Sequence, residues 1–132
     1  MTVKPESNFW RLLKKHIPAY WDRIENRHGG GTPDLIGIRE GVTIFIELKC
    51  IKQNSINISP LQISRNINIF QHGGKNYYLV QDTRSKVLKL YGGDKGRELK
   101  ELGFKCPCSL ELDPKKYNNE RIYNKLECYL FS

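Results

Sequence analysis

The sequence predicts an α/β fold in which a mixed sheet is flanked by helices. Helical and strand periodicities alternate along the chain, and the strand-like segment 42–49 is apolar on both faces, which is typical of a central strand covered on both sides. The 132 residues have room for one domain and bury enough surface to need no disulfide or metal for folding. We therefore expect one domain over residues 1–132, with a core at about 5–92 and an extension at 93–132 whose role is open.

The first helix is expected to begin near Pro5 and to end before Pro18. Its apolar positions recur at four-residue steps: Phe9, Leu13 and Ile17. A short strand over residues 20–25 follows. The loop at 26–31 ends in three glycines, which either form a flexible connection or allow another chain or a phosphate to come close.

Two strands rich in β-branched residues are predicted next, at 35–38 and 42–48. If Glu40-Gly41 is a two-residue hairpin turn, the register places Asp34 directly opposite Glu47. Glu-Gly is a weaker hairpin signal than Asn-Gly or Asp-Gly, so a longer loop with a shifted register is the alternative.

A second helix is predicted from its end signals. Ser59 is a suitable N-cap, Pro60 suits the first helical position, and Gly73-Gly74 is a typical helix end. The remaining elements are strands at 77–80 and 87–91 and helices at about 95–102 and 120–131.

Positive charge is concentrated in the first hundred residues. The chain has 22 Lys and Arg against 14 Asp and Glu, a net charge of +8, while residues 101–132 are neutral. No acidic residue lies between Glu47 and Asp82, and the basic residues of that interval are Lys49, Lys52, Arg65 and Lys75. This distribution favours a nucleic acid over an anionic membrane as partner. We expect the neutral C-terminal part to serve packing or dimerisation.

The cysteine pattern and the absence of long apolar runs in the sequence indicate a cellular compartment. The 4 cysteines form no CxxC pair and no zinc-like spacing with histidine, so free thiols in a reducing compartment are expected. There is no apolar run of about 18 residues and no signal peptide pattern at the N-terminus. We expect a cytoplasmic protein with no membrane partner, in a bacterium or in the host cytoplasm if it is phage-encoded.

Asp34, Glu47 and Lys49 form the candidate site. Strand alternation places Glu47 and Lys49 on the same face, and cross-strand Cβ atoms are about 5 Å apart, so Asp34 and Glu47 could bind one cation between them. Mg²⁺ suits hard oxygen ligands and would assist phosphodiester hydrolysis, with Lys49 orienting the attacking water or stabilising charge. The alternative is a salt-bridge cluster at a strand end.

The motif Pro33-Asp34 followed by Glu47-Leu48-Lys49 resembles the PD-(D/E)xK signature of the restriction-endonuclease-like nucleases. Residues 29–38, 42–49 and 59–62 resemble more narrowly the VRR-NUC domains, which are related to Holliday-junction resolvases. The resemblance implies a restriction-endonuclease-like fold and Mg²⁺, with Mn²⁺ able to substitute.

The same resemblance implies roles for single residues. Asp34, Glu47 and the Leu48 carbonyl would bind the metal, and Lys49 would assist the water. Gln62 would support the site, unless it is an ordinary exposed helix residue. A glutamate on the first helix would reach the metal through water; Glu6 is the preferred match and Glu25 the alternative.

The implied activity is that of an endonuclease that cuts branched or junction DNA, leaves a 5′-phosphate and takes part in DNA repair. Symmetric cutting of a four-way junction would require a homodimer. Two alternatives stay open. A restriction-type or mobile-element endonuclease would use the same residues on duplex DNA, whereas a non-catalytic nucleic-acid-binding module would have no use for Asp34, Glu47 and Lys49 together.

Overall fold

The computed structural model describes residues 5–24 and 34–132, with side chains from residue 8 onward in the first helix. Glu25 and the glycine loop at 26–31 lie outside the described residues, as does the side chain of Glu6. The described helices and strands are α1 (Pro5–His16), β1 (Tyr20–Arg23), β2 (Leu35–Arg39), β3 (Val42–Ile51), α2 (Pro60–Gln71), β4 (Lys75–Asp82), β5 (Leu88–Gly92), α3 (Gly96–Leu102), β6 (Leu110–Leu112) and α4 (Asn119–Phe131).

The strands form one mixed sheet, in the order β1-β2-β3-β4-β5-β6. β3 and β4 are parallel, and every other neighbouring pair is antiparallel. A parallel pair requires a crossover connection, which helix α2 provides. The structure thus confirms the predicted mixed sheet with flanking helices. Within residues 5–24 and 34–132, no helix is long and apolar enough to cross a membrane.

The β2–β3 hairpin has the register that the sequence predicts. Leu35 pairs with Ile46, and the turn residues Glu40 and Gly41 have φ values of 50° and 81°. Positive φ at both central positions is typical of a two-residue type I′ turn, whose twist matches that of the strands. When this register is extended by one residue, from Leu35 back to Asp34, Asp34 lies opposite Glu47.

Helices cover both faces of β3. Ile44, Ile46 and Leu48 face α1 and α4 in one hydrophobic core. Ile51 and Tyr78 belong to a second core with residues of α2 and α3 on the opposite face. Because side chains alternate along a strand, Glu47 and Lys49 lie on the face of this second core.

Residues 93–132 are part of both cores. Leu99 of α3 is buried in the second core, and α4 contributes Ile122, Leu126 and Leu130 to the first. Strand β6, which the sequence analysis did not predict, pairs with β5 and extends the sheet. This segment therefore completes the hydrophobic packing on both faces of the sheet.

The start of α4 allows a direct test of helix capping. The Asn118 side chain accepts a 2.9 Å hydrogen bond from the Arg121 amide. Asn118→Ala should lower the free energy of unfolding by about 1 kcal/mol, as measured by urea denaturation. The same substitution at the exposed Asn124, inside the helix, should raise it by up to about 0.5 kcal/mol because alanine is the better helix former. Equal effects of the two substitutions would contradict the assigned helix start.

Candidate active site

The predicted site residues meet where β2 begins and β3 nears its end. Asp34 precedes β2, Glu47 and Lys49 lie in β3, and Gln62 lies in the first turn of α2. A 3.3 Å hydrogen bond from Lys49 Nζ to Gln62 Oε1 joins the strand to the helix. The structure thus brings these four side chains to one place. Glu6 lies in α1, but the position of its side chain is not described.

Glu47 is the most unusual residue of this cluster. Its side chain is 0% exposed, and no N–H or O–H group of the described residues donates to either carboxyl oxygen. The Asp34 carboxyl lies close enough to share a proton with it. Burial above all, and then the neighbouring Asp34 carboxyl, raise the pKa of Glu47 from 4.5 to about 9, although Lys49 partly offsets the increase. Without a cation, this carboxyl therefore holds a proton at neutral pH.

Asp34 is fixed by the backbone of β3. Its Oδ2 accepts a 2.9 Å hydrogen bond from the Leu48 amide. In a strand, the N–H and C=O groups of one residue point toward the same neighbouring strand. The Leu48 carbonyl therefore also faces the Asp34 side of β3. This arrangement places two carboxyl groups and one carbonyl around the end of the hairpin.

Gln62 connects the helix cap to Lys49. The Ser59 hydroxyl accepts a hydrogen bond from the Gln62 amide, and Gln62 Oε1 accepts one from the Ser59 amide, each at 3.1 Å. This reciprocal pair is a capping box, and it confirms the predicted helix start at Ser59 and Pro60. Because Gln62 Oε1 also accepts from Lys49 Nζ, the cap holds the lysine ammonium at the site.

The sequence analysis missed three buried polar residues next to this site. Tyr78 pairs with Glu47 across the parallel strands, and its buried hydroxyl lies close to the Asn66 side chain. Asn76 donates to both the backbone oxygen and Oδ1 of Asn66, which donates in turn to the Gln62 carbonyl at 2.9 Å. These contacts attach α2 to β4. The β3–β4 register identifies Tyr78, and the packing of α2 on β4 identifies Asn66 and Asn76; the sequence reveals neither.

Among the described residues, two carboxylates of this cluster, Asp34 and Glu47, are suited to bind a cation. Residues 5–24 and 34–132 contain no group of three or more His, Cys, Asp or Glu side chains placed to hold a metal ion. A cation near Glu47 would nevertheless compensate its buried charge once the carboxyl is ionised, because no group of the described residues then donates to it. Asp34, Glu47 and the Leu48 carbonyl suit Mg²⁺, which keeps several waters and prefers oxygen ligands.

The fold is similar to that of a solved nuclease structure. A Holliday junction resolvase, Hjc, from the archaeal hyperthermophile Archaeoglobus fulgidus aligns with a TM-score of 0.53 at 14% sequence identity, over 94% of this chain and 92% of that chain. No protein-family model and no curated protein sequence matches this chain. The likeness confirms the predicted α/β fold of the restriction-endonuclease-like class. Because it covers 94% of this chain, it includes most of residues 93–132, whose role the sequence left open.

Proposed function

We propose that this protein is a Mg²⁺-dependent endonuclease that hydrolyses phosphodiester bonds in branched or junction DNA. The observation that supports this function most directly is the Glu47 carboxyl, which is fully buried beside the Asp34 carboxyl and accepts no hydrogen bond from an N–H donor among the described residues. A buried carboxyl of this kind is costly for the fold alone and is explained by a bound cation. Its place in a resolvase-like fold supports the same chemistry.

Asp34, Glu47 and the Leu48 carbonyl would bind the ion. When bound, Mg²⁺ supplies positive charge that polarises the scissile phosphate and stabilises the leaving oxygen. Lys49 orients the attacking water and stabilises the negative charge that develops on the phosphate. Gln62 restricts the Lys49 ammonium to the site through its hydrogen bond. Water attacks phosphorus, the phosphorus–oxygen bond breaks, and the products are a 5′-phosphate and a 3′-hydroxyl.

Branched DNA is the proposed substrate because the structural neighbour is a Holliday junction resolvase. The chain also lacks a recognisable base-reading motif, which favours recognition of backbone and shape over sequence. One site cuts one strand, so paired cuts across a four-way junction require a homodimer with two sites.

The experiment compares a labelled four-way junction with a linear duplex of the same arm sequences, in Mg²⁺, in Mn²⁺ and in EDTA. We expect cuts in the junction near its branch point in either metal and none in EDTA. Cutting that persists in EDTA would refute the metal mechanism. Cutting of the linear duplex at one sequence would instead indicate a restriction-type enzyme, and binding without cutting in either metal would indicate a non-catalytic module.

The capping box separates the role of Gln62 in the site from its role in the helix. Gln62→Ala removes the hydrogen bond from the Ser59 amide and the Lys49 contact but keeps the backbone amide that donates to the Ser59 hydroxyl, whereas Ser59→Ala removes only the hydrogen bond to that hydroxyl. We expect about tenfold slower cleavage for Gln62→Ala, which is typical of a lost supporting hydrogen bond. Ser59→Ala should cleave at close to the wild-type rate while both variants lose a similar free energy of unfolding. Equal cleavage rates for the two variants would show that Gln62 acts only as a cap.

A further inference from the structure

The structure divides the basic residues between the two ends of the sheet. Lys49 lies near the carboxyl end of β3, and Lys52 directly follows that strand. Lys75 begins β4 opposite Ile44, at the other end. From Lys75, β4 continues for 7 residues to Asp82, a distance of about 23 Å at the rise per residue of a β-strand. The acid-free stretch therefore does not form one continuous basic surface near the site.

A different segment supplies positive charge at the carboxyl end of the parallel strands β3 and β4. The β4–β5 turn, residues 83–87, lies at the carboxyl end of β4. Both the amide and the hydroxyl of Thr83 donate to the Ile51 carbonyl, at 2.8 and 3.0 Å. Ile51 immediately precedes Lys52, so this turn is attached to the strand that holds Glu47 and Lys49.

The β4–β5 turn is held by its own hydrogen bonds. The Asp82 carboxylate accepts from the Arg84 amide and from the Ser85 hydroxyl, each at 3.0 Å. The Lys86 amide donates to the Asp82 carbonyl at 2.8 Å, and Lys86 has a φ of 65°. This left-handed conformation suits glycine or asparagine better than lysine. A lysine at such a position suggests that its charge is needed there.

The basic side chains at this end of the sheet are exposed. Lys52, Arg84 and Lys86 are all exposed, and none forms an ion pair within the described residues. Lys89, only a few residues farther along, does pair with Glu111. Lys86 also lines a groove of about 260 Å³ with the amide side chains of Asn8, Gln81 and Asn119. The groove includes Leu88 and Ile122 of the first core, so these cations lie around the end of the sheet and not on the face that holds Glu47. Amide groups and an unpaired ammonium are groups that contact DNA phosphates.

We propose that Lys52, Arg84 and Lys86 bind the phosphate backbone of the DNA substrate on one side of the cleavage site. This inference rests on the proposed nuclease function and extends it from Lys52 to Arg84 and Lys86, which lie beyond the acid-free stretch. Lys52 follows Lys49 by three residues, about 10 Å along the strand. One DNA strand rises 3.4 Å per nucleotide. The contacted phosphates therefore lie about three nucleotides from the scissile phosphate.

Binding to a four-way junction in EDTA tests the surface without requiring cleavage. The triple variant Lys52→Ala, Arg84→Ala, Lys86→Asn loses three phosphate contacts, so the slope of log affinity against log salt should fall by about 2.7. The ratio of the wild-type affinity to the variant's affinity should fall about 40-fold between 50 and 200 mM salt. Asparagine at position 86 suits the left-handed backbone and preserves the turn. Lys75→Ala, which removes one positive charge at the opposite end of the sheet, should leave the slope close to that of the wild type rather than lower it by about 0.9.

Neutral methylphosphonates placed one at a time along the cut strand then locate the contacts. In the wild type, substitutions about three nucleotides from the cut should weaken binding and slow cleavage. The same substitutions should have no further effect on the triple variant, because the contacts are already lost. The proposed phosphate contacts would be refuted if the triple variant kept the wild-type salt slope. They would also be refuted if the methylphosphonate effect persisted in that variant. A wild type that neither binds nor cuts the junction would instead refute the proposed function.

Discussion

Replacing Glu47 with glutamine is expected to lower the rate of junction cleavage in Mg²⁺ by about 10³-fold or more. Glutamine keeps the shape of the side chain but has no negative charge to hold a cation. Metal assistance contributes several kcal/mol to the stabilisation of a transition state, and each 1.36 kcal/mol corresponds to a tenfold change in rate. Single-turnover cleavage of a labelled four-way junction measures the rate, and calorimetric titration with Mn²⁺ measures metal binding.

Glu101→Gln is the matched control because it makes the same chemical change at an exposed position on α3. It should cleave and bind metal as the wild type does. If Glu47→Gln cleaved at the wild-type rate, the buried carboxyl would have no part in the reaction. If Glu47→Gln bound Mn²⁺ unchanged but cleaved slowly, Glu47 would act in the chemistry without holding the ion.

The second large effect concerns stability. In EDTA, the free energy of unfolding of the wild type is expected to fall by a few kcal/mol, to order of magnitude, as the pH rises from about 5 to about 9. Burial and Asp34 raise the pKa of Glu47 from 4.5 to about 9, so the folded protein retains a proton that the unfolded chain releases. The stabilisation is complete below pH 4.5 and is lost as the pH rises through about 9.

Urea denaturation of the wild type and Glu47→Gln over this pH range measures the effect. Glutamine does not ionise, so the free energy of unfolding of the wild type should fall relative to that of the variant as the pH rises. Saturating Mg²⁺ should stabilise the wild type more at pH 9 than at pH 5, because the cation binds the ionised carboxylate. Parallel pH curves for the two proteins in EDTA would show that Glu47 is not the residue that titrates.

Local patterns were sufficient to predict the hairpin at the centre of the site. The alternation of apolar residues in β3 and the two-residue turn at Glu40 and Gly41 fix the β2–β3 register, which leads directly to Asp34 opposite Glu47. The capping signal at Ser59 similarly fixed the start of α2. Strand β6 was missed because three residues are too few to establish an alternating pattern.

Other parts of the site depend on distant pairings. Tyr78 lies beside Glu47 only because the crossover through α2 sets the parallel register of β3 and β4. Asn66 and Asn76 are ordinary polar residues in sequence and become buried partners only after α2 packs on β4. Lys86 lies beyond Asp82, where the acid-free stretch ends, so the sequence pattern did not connect the Lys86 charge with the site.

The capping box couples the local stability of α2 to the arrangement of the site. The first turn of a helix is normally where fraying occurs, and its amide protons exchange with water through small local openings. Here, opening that turn breaks the hydrogen bonds between Ser59 and Gln62 and moves the Gln62 side chain that Lys49 contacts. Amide exchange at Gln62 is therefore a measure of how often the lysine loses its partner. A bound substrate that holds Lys49 in place would slow this exchange without contacting the helix itself.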